Sequence, residues 1–443
     1  MFLNITSERM RMNKHSVLAV GGGVAGLQTS TDLANMGINV YLIDKEPRLG
    51  GLTPLLHQAF PTLENAEELT KQLLQSVLNN PNIRVLSYSE IESVEGSAGN
   101  FRVSILRRAR CVDEAKCNNC GECERVCPVD VPKKFEMGLS TRKAIYLPKP
   151  FAVPAKYLID KEACLYFKDK SCHACYDACP EGAVVYDQKV LHEKVSVDAI
   201  VLATGFSEYN AGKVGQYKYG VYPNVITGIE YERLCSPTGP TNGKILRIDN
   251  RERPKSVVFI LCVGSRDEKH LRYCCNIGCL NALKHASYLK QQYGEEVDIY
   301  ICYTDIRAVT KRGEQFYQKV RASGVEFIHG QPSEVRQAKN GSLTLDIYDQ
   351  ATSKLLSITA DLVVLETGLK PQTDLKEKLK LTLDEYNFIT EKHPQLKPSE
   401  TTIDGVFLAG AVQQPMHVYE ALMHASAVVM KVLSFIGSDF TSH

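Results

Sequence analysis

Cysteine is the residue whose number and spacing point most directly to chemistry in this 443-residue sequence. Of the 15 cysteines, nine lie between Cys111 and Cys179, and eight of these form two runs that each end in Cys-Pro. The runs are Cys117, Cys120, Cys123 and Cys127, then Cys164, Cys172, Cys175 and Cys179. The first run has the spacing Cys-x2-Cys-x2-Cys-x3-Cys-Pro, at which thiolates hold iron–sulfur clusters.

The second run has a longer first gap and the spacing Cys-x7-Cys-x2-Cys-x3-Cys-Pro. The two runs together predict two [4Fe-4S] clusters with crossed ligands, because the cysteine before the proline ligates the neighbouring cluster. One cluster is expected on Cys117, Cys120, Cys123 and Cys179, and the other on Cys127, Cys164, Cys172 and Cys175. Both runs resemble those of bacterial-type ferredoxins. A pair of tetrahedral zinc sites is the alternative, but zinc does not require a fourth cysteine before proline in each run. Cys111 has no place in this pattern.

A glycine-rich loop near the N-terminus predicts a dinucleotide site. The strand Ser16–Val20 is followed by a Gly-x-Gly-x-x-Gly fingerprint, a helical pattern and a second strand that ends at Asp44. In such a βαβ unit the glycines admit a pyrophosphate at the helix N-terminus, and the acid accepts ribose hydroxyls. A glycine-rich tight turn is the alternative. The expected site residues are Gly21, Gly23, Val24, Ala25, Gly26, Asp44, Lys45, Gly51, Leu52 and Thr53.

Two later segments favour FAD over NAD at this site. Each is an apolar strand that leads into small residues, and these are Ala203, Thr204 and Gly205, then Gly410 and Ala411. Both segments resemble those of two-dinucleotide flavoproteins such as thioredoxin reductase. That resemblance implies a last helix, from about Met416, whose positive N-terminus faces the flavin ring. Ala411 departs from the acidic residue that the relatives usually carry.

The second glycine fingerprint, which such enzymes use for a nicotinamide cofactor, is degenerate here. The equivalent strand, Ser256–Leu261, leads into a turn in which Gly264 is the one glycine where three are required, and Cys262 occupies the turn. We therefore do not expect NADH or NADPH to bind. Electrons are expected to enter by another route, which cysteines can supply.

A third cysteine group completes a family resemblance. It consists of Cys262, Cys274, Cys275 and Cys279. Together with the glycine loop and the two cysteine runs, it resembles the A subunit of heterodisulfide reductase and the flavoprotein component of the quinone-interacting membrane-bound oxidoreductase. The resemblance extends from Val17 to about Leu433, and it implies the flavin core of the A subunit with its inserted ferredoxin module.

The resemblance implies further site residues. In the family the third group binds an additional cluster near the flavin, so a third [4Fe-4S] cluster is expected here. Gly278 stands where the family places a cysteine, and Cys275 is extra, so Cys275 is either a ligand or a buried, idle thiol. Lys284 matches a family lysine near flavin N5, where a cation would stabilise negative charge. A solvated lysine on a helix is the alternative.

Composition agrees with a folded protein that does not bind nucleic acid. Lys and Arg total 52, Asp and Glu total 51, and the net charge of +1 leaves no basic footprint. The N-terminus is polar, and no apolar run approaches the roughly 18 residues of a membrane span. No signal segment and no direct membrane span are therefore expected.

The alternating strands and helices predict an α/β fold: a tandem Rossmann-like, thioredoxin-reductase-like flavoprotein with an inserted ferredoxin-like 2[4Fe-4S] domain. The expected FAD domain is discontinuous. Its three segments are residues 12–106, 188–245 and 366–443, around a ferredoxin-like insertion at 107–187 and a degenerate nucleotide-binding-like domain at 246–365.

The expected function is that of an FAD- and iron–sulfur-containing electron-transfer subunit in a heterodisulfide-reductase-like complex, an oxidoreductase. The resemblance implies B- and C-like subunits, other redox proteins or ferredoxin as partners, a homodimer or larger complex, and a cytoplasmic location with membrane association through partners. Flavin-based electron bifurcation is a property of the family. The alternatives are a pyridine-nucleotide-dependent enzyme resembling the small subunit of glutamate synthase, and a non-catalytic scaffold without FAD.

Overall fold

The computed structural model describes residues 15–438, so the start of the first predicted segment at residues 12–14 lies outside the described residues. A seven-stranded sheet forms the first unit. Its strands, in spatial order, are Glu391–His393, Lys397–Thr401, Val406–Leu408, Ala199–Leu202, Ser16–Val20, Asn39–Asp44 and Ile83–Ser87. The last five are parallel to one another, as βαβ connections require.

Both faces of this sheet are covered, which explains why its central strands are apolar throughout. Val17 and Ala19 face a layer formed by the helices Val24–Asn35 and Val418–Ser438. Leu18 faces the opposite layer, an antiparallel three-stranded sheet. The strands of that layer are Ser89–Ser97, Asn100–Arg107 and Leu191–Val197. The helix Ala66–Leu78 and the short strands Gln58–Ala59 and Glu64–Asn65 flank this unit.

A five-stranded parallel sheet forms the second unit. Its strands, in spatial order, are Val225–Thr227, Leu362–Thr367, Ser256–Val263, Asp298–Tyr303 and Glu326–His329. Three helices belong to this unit, and they are Gly228–Cys235, Gly278–Tyr293 and Lys311–Arg321. An antiparallel sheet of Pro332–Gln337, Leu343–Asp349 and Lys354–Ala360 shares a second apolar cluster with the parallel strands. The chain passes between the two units through the paired strands Phe206–Glu208 and Leu369–Pro371.

The second unit begins earlier in the chain than the predicted boundary at residue 246. Val225–Thr227 pairs in parallel with Leu362–Thr367, and the helix Gly228–Cys235 follows it directly. By sheet membership these residues belong with the second unit, although the sequence assigned 188–245 to the FAD domain. A three-residue strand between turn-rich segments has no periodicity that a sequence could reveal.

The segment between Arg107 and Leu191 forms a small separate cluster built largely from cysteines. Its buried residues include Cys117, Cys123, Cys127, Cys164 and Cys175 together with small apolar side chains. Its strands are Asp130–Pro132, Thr141–Lys143, Ile145–Tyr146 and Leu158–Ile159, and its helices are Glu122–Arg125, Leu165–Asp169 and Ala174–Asp177. So few apolar residues form a weak core, which is typical of domains that a metal centre holds together.

One helix among residues 15–438 differs from the expectation of no membrane-length apolar segment. Val418–Gly437 is long and apolar enough to cross a membrane, by length and composition alone. Core helices pass the same test, and here Ala425, Val428 and Val432 are buried against the seven-stranded sheet.

Candidate functional site

The glycine loop lies at the carboxyl ends of the central strands, where other predicted segments meet it. Gly21 has a φ of +110°, and a Cβ there would lie 2.4 Å from the carbonyl oxygen of Ala203. A Cβ on Gly26 would lie 1.8 Å from the oxygen of Gly21. These two glycines are therefore required by the close packing of the loop, the helix and the neighbouring strand.

Gly23 differs from its neighbours because the space beside it is open. A Cβ at Gly23 would meet only the Cα of Gly51, at 3.9 Å, and φ is an ordinary −73°. The hydroxyl oxygen of Thr204, in the adjoining segment, is buried without a hydrogen-bond partner among the described residues. An open cradle at a helix N-terminus and an unpartnered hydroxyl fit a bound pyrophosphate.

The C-terminal segment closes the same site. Gly410 has a φ of +71°, and a Cβ there would lie 2.6 Å from the Cβ of Ala25. Ala411 and Met416 pack with Val24 in a small buried cluster. The helix Val418–Ser438 starts two residues beyond Met416. Its N-terminus therefore lies beside the glycine-loop helix.

The remaining predicted dinucleotide residues lie around the same loop. Asp44 ends its strand and accepts hydrogen bonds from the backbone N–H groups of Gly22, at 2.6 Å, and Glu46, at 2.7 Å. Burial raises its pKa. Gly50 forms a bridge with Gly23, so the segment Gly51, Leu52 and Thr53 passes beside the loop. Lys45 is exposed and pairs with Asp374 at 2.8 Å.

Lys284 lies in the core and not on a solvated helix face. Its side chain is 1% exposed, and its Nζ lies 2.6 Å from an oxygen of Glu232 and 2.8 Å from the carbonyl oxygen of Gln58. Gln58 belongs to the first unit and Lys284 to the second, so the ammonium joins the two. Burial is compatible with a cation that acts on a cofactor between the units.

A chain of buried charges continues from Lys284. His285 lies 2.6 Å from Glu232 through Nε2 and 2.8 Å from Glu366 through Nδ1, and all three side chains are at most 3% exposed. Burial alone would lower the pKa of His285, but the Glu366 and Glu232 carboxylates raise it, so both ring nitrogens can donate. Burial likewise opposes ionisation of Glu232, yet the cations of Lys284 and His285 hold its pKa well below the usual range.

Glu208 is a further acid, and its pKa is raised whereas that of Glu232 is lowered. Burial raises its pKa to about 8, and the carboxylates of Glu230 and Glu366 add to the rise. Hydrogen bonds with Thr367, at 3.2 Å, and Thr227, at 3.5 Å, hold its side chain. Glu208 therefore keeps a proton at neutral pH, whereas Glu232 remains ionised.

The first cysteine run and the last cysteine of the second run line one small cavity. Cys117, Cys120, Cys123 and Cys179 all contribute to its wall, as crossed ligation requires. Burial raises the pKa of Cys123 to about 12, and the thiolates of Cys175, Cys117 and Cys179 add to the rise. These four thiols fit a cofactor that occupies the space between them.

The other four cysteines of the two runs lie together beside the first cavity. Burial raises the pKa of Cys175, and the nearby thiolates of Cys164, Cys127 and Cys172 act in the same direction. The hydroxyl of Tyr186 lies 3.3 Å from the Cys175 sulfur. Among residues 15–438 no three side chains converge as ligands of one metal ion. Cys111 is buried and hydrogen-bonded through its backbone, outside both groups.

The third cysteine group lies where the helix Gly278–Tyr293 begins. The pKa of Cys279 is raised to about 11, first by burial and then by the nearby thiolates of Cys262 and Cys274. A hydrogen bond from Cys275 lowers the pKa of Cys274 to about 5, and the guanidinium groups of Arg307 and Arg266 assist. Cys262, Cys274 and Cys279 thus influence one another electrostatically, and Cys275 is buried beside Cys274.

The turn that would bind a nicotinamide cofactor is filled by protein. A Cβ on Gly264 would lie 2.3 Å from the ring of Tyr209, whose hydroxyl is 2.8 Å from His270. Cys262 itself has a φ of +58°, an uncommon conformation for a residue with a side chain. The aromatic ring thus lies over the one glycine that remains in this turn.

Three family models match parts of the chain. A 4Fe-4S binding domain matches residues 112–132, and an NAD(P)-binding Rossmann-like domain matches residues 20–57. A pyridine nucleotide-disulphide oxidoreductase matches residues 274–425. The matches agree with an oxidoreductase that combines flavin and iron–sulfur sites. The iron–sulfur match covers the first cysteine run, so the number of clusters stays a prediction.

Curated relatives resemble almost the whole chain. The iron-sulfur A subunit of CoB–CoM heterodisulfide reductase from Methanocaldococcus jannaschii is 41% identical over 423 residues, which cover 94% of this chain and 64% of the relative. The chain is therefore similar to heterodisulfide reductase A subunits over nearly its whole length. The A subunit of the H(2)/formate:CoB-CoM heterodisulfide,ferredoxin reductase from Methanococcus maripaludis is 40% identical over 94% of this chain and 63% of its own. The chain thus spans less than two thirds of these relatives, and the predicted resemblance is confirmed.

Solved structures confirm the predicted fold class. Thioredoxin reductase from Lactococcus lactis aligns with a TM-score of 0.53 at 14% identity, over 96% of this chain and 99% of that one. Thioredoxin reductase from T. acidophilum aligns with a TM-score of 0.52 at 16% identity, over 96% and 98%. At this identity the likeness concerns the fold alone.

The sequence analysis missed the residues that surround Lys284. These residues are Glu232 on one helix, His285 on a second helix and Glu366 on a strand. Because they lie far apart in the sequence, no motif joins them. A usable signal existed for Glu366, which interrupts the otherwise apolar strand Leu362–Thr367. A charged residue in a buried parallel strand indicates a buried partner.

Proposed function

We propose that this protein is an FAD- and iron–sulfur-containing electron-transfer subunit of a heterodisulfide-reductase-like complex. One observation carries the proposal. Asn276, in the third cysteine group, donates to the carbonyl oxygen of Pro415 at 3.4 Å and to Glu420 at 3.2 Å, at the start of the C-terminal helix. The cysteines therefore lie against the segment that closes the candidate flavin site.

The dinucleotide part of the proposal assigns a role to each segment around the glycine loop. Gly23 leaves room for the pyrophosphate, and the helix N-terminus offers its backbone N–H groups. Thr204, whose buried hydroxyl has no hydrogen-bond partner among the described residues, would donate to the bound group, and Asp44 would accept the ribose hydroxyls. When bound, FAD supplies exchange between two-electron and one-electron chemistry.

Lys284 would stabilise negative charge that arrives at the flavin ring. Its ammonium is desolvated, so its field is weakly screened and acts over a longer distance than that of a surface lysine. Glu232 and the carbonyl oxygen of Gln58 hold it between the two units. The amino group of Lys284 is thus held in a fixed position between the two units.

The cysteine groups would carry single electrons between the flavin and partner proteins. Cys120 is exposed at the first cavity, and Cys172 is half-buried beside the second set, so both sites approach the surface. Relatives named as A subunits of larger complexes support B- and C-like subunits as partners, and the word ferredoxin in a relative's name supports ferredoxin as donor or acceptor. We extend the proposal to bifurcation at the flavin and to a cytoplasmic complex that reaches membranes through its partners.

The electron source provides the test. We expect reduced ferredoxin, mixed anaerobically with the purified protein, to bleach the flavin absorbance through the clusters. NADH and NADPH should not, because Tyr209 fills the turn that such a cofactor would need. Cys262→Ser should slow reduction by ferredoxin without releasing FAD. Rapid bleaching of the wild-type flavin by NADPH, with no effect of Cys262→Ser, would instead favour the pyridine-nucleotide-dependent alternative.

A further inference from the structure

We propose that Cys275 serves as the fourth thiolate of the third cysteine group, in the space that a side chain at position 278 would otherwise occupy. The inference rests on the proposed function, which places an iron–sulfur cluster on this group. It assigns the ligand set Cys262, Cys274, Cys275 and Cys279, and it gives Gly278 a reason to be glycine.

The position of the Cys275 sulfur is the first argument. A Cβ built on Gly278 would lie 3.2 Å from that sulfur, closer than such atoms ordinarily approach. A side chain at 278 would therefore press on the Cys275 sulfur, and one of the two would have to shift. The two positions are alternative sources of one thiolate, and only one of them can be a cysteine without displacement of the other.

Backbone donors to the sulfurs are the second argument. The N–H of Gly278 donates to the Cys275 sulfur at 3.4 Å, and the N–H of Asn276 donates to the Cys274 sulfur at 3.4 Å. The first donor lies at the start of a 16-residue helix, where the unpaired N–H groups favour negative charge. Such hydrogen bonds stabilise thiolates and adjust the potentials of iron–sulfur clusters.

Comparison with another buried cysteine separates a ligand from an idle thiol. Cys302 lies in the strand Asp298–Tyr303 at 0% exposure. Burial raises its pKa, with no contribution from a donor or a second thiol. Cys275 is similarly buried at 5%, but its sulfur meets a backbone donor and a second thiol. Cys302 is therefore the matched control, since it has the same chemistry and burial without these contacts.

The test is a substitution and its rescue, measured as iron and flavin per chain in anaerobically purified protein. Cys275→Ala and Cys275→Ser should each lose about four irons and one paramagnetic signal, while FAD and both ferredoxin-type signals remain. The double variant Cys275→Ala/Gly278→Cys should regain that iron and signal. Cys302→Ala should match the wild type.

Two results would overturn the inference. One is a Cys275→Ala protein with the full iron content and signal of the wild type, which would make Cys275 idle. The other is a double variant that stays depleted, which would deny the equivalence of positions 275 and 278. A wild-type protein with FAD and only two clusters would also overturn it, yet would leave the proposed electron-transfer function standing. Loss of FAD from the wild type itself would refute that function.

Discussion

The buried charges around Glu232 allow a prediction whose size follows from the contacts. With both ring nitrogens of His285 donating, Lys284 and His285 carry two positive charges, and Glu232 and Glu366 carry two negative ones. These four charges sum to zero. All four side chains are at most 3% exposed, so they are shielded from solvent. Glu232→Gln keeps the shape of the side chain but leaves one positive charge without compensation.

The expected effect is large. Removing one partner of a buried ion pair destabilises a protein by about 3–5 kcal/mol, because the remaining charge cannot be solvated. Adding Lys284→Met to Glu232→Gln removes the surplus charge and should recover part of the loss, since replacing both partners is often neutral. The control is Glu68→Gln, which breaks an exposed pair with Lys71 at 3.4 Å and should change stability by less than about 1 kcal/mol.

Urea unfolding followed by tyrosine fluorescence measures these differences, because the chain has 21 tyrosines and no tryptophan. The transition of the second unit should move to lower urea in Glu232→Gln and return partway in the double variant. A Glu232→Gln protein as stable as Glu68→Gln would refute the charge arrangement. So would a double variant less stable than the single one, because the surplus charge would then not be the cause.

Further predictions concern the other sites. Gly23→Val should yield folded protein, because its Cβ meets no close atom, but the side chain should occupy the pyrophosphate space and prevent FAD binding. Gly26→Val should impair folding, because its Cβ would collide with the Gly21 oxygen. Flavin content and circular dichroism distinguish the two variants. Cys127→Ser should remove the signal of the cluster on Cys164, Cys172 and Cys175 and spare the other, as paramagnetic resonance would reveal. Glu208 has a pKa raised to about 8, so the native state holds a proton that the unfolded state releases above about pH 4.5. Wild-type stability should therefore fall between these values relative to Glu208→Gln, and a pH-independent difference in urea midpoints would contradict this.

Features encoded by neighbouring residues could be predicted from the sequence. The strand at Ser16–Val20, the glycine loop and the next strand form one local unit, and the structure reproduces their order and ends within one or two residues. The helix after the loop starts at Val24, three residues before Leu27, where the apolar pattern predicts its start, because Val24, Ala25 and Gly26 form its first turn. A sequence pattern is enough to predict a site when one short segment forms both the secondary structure and the site.

Features assembled from distant segments could not be predicted. Glu232 and Lys284 are separated by 52 positions, and Glu366 lies a further 82 along the chain. No periodicity connects a carboxylate in one helix with an ammonium in the next, so the pairing emerges only when both pack on the five-stranded sheet. The family resemblance indicated Lys284, but the reason it can stay buried as a cation lies in contacts that a single sequence does not encode.

Glu366 connects the candidate flavin site with the third cysteine group. One of its oxygens accepts from His285, which also contacts the partner of Lys284, while its Cβ lies 3.5 Å from where a Cβ on Gly278 would be. Charges separated by a few ångströms in a dry interior interact strongly. An electron that arrives at the cysteine group would therefore raise the energy of the Glu366 carboxylate and strengthen the proton affinity of His285. Under the proposed function, the Glu366 carboxylate would consequently couple the potentials at the two centres.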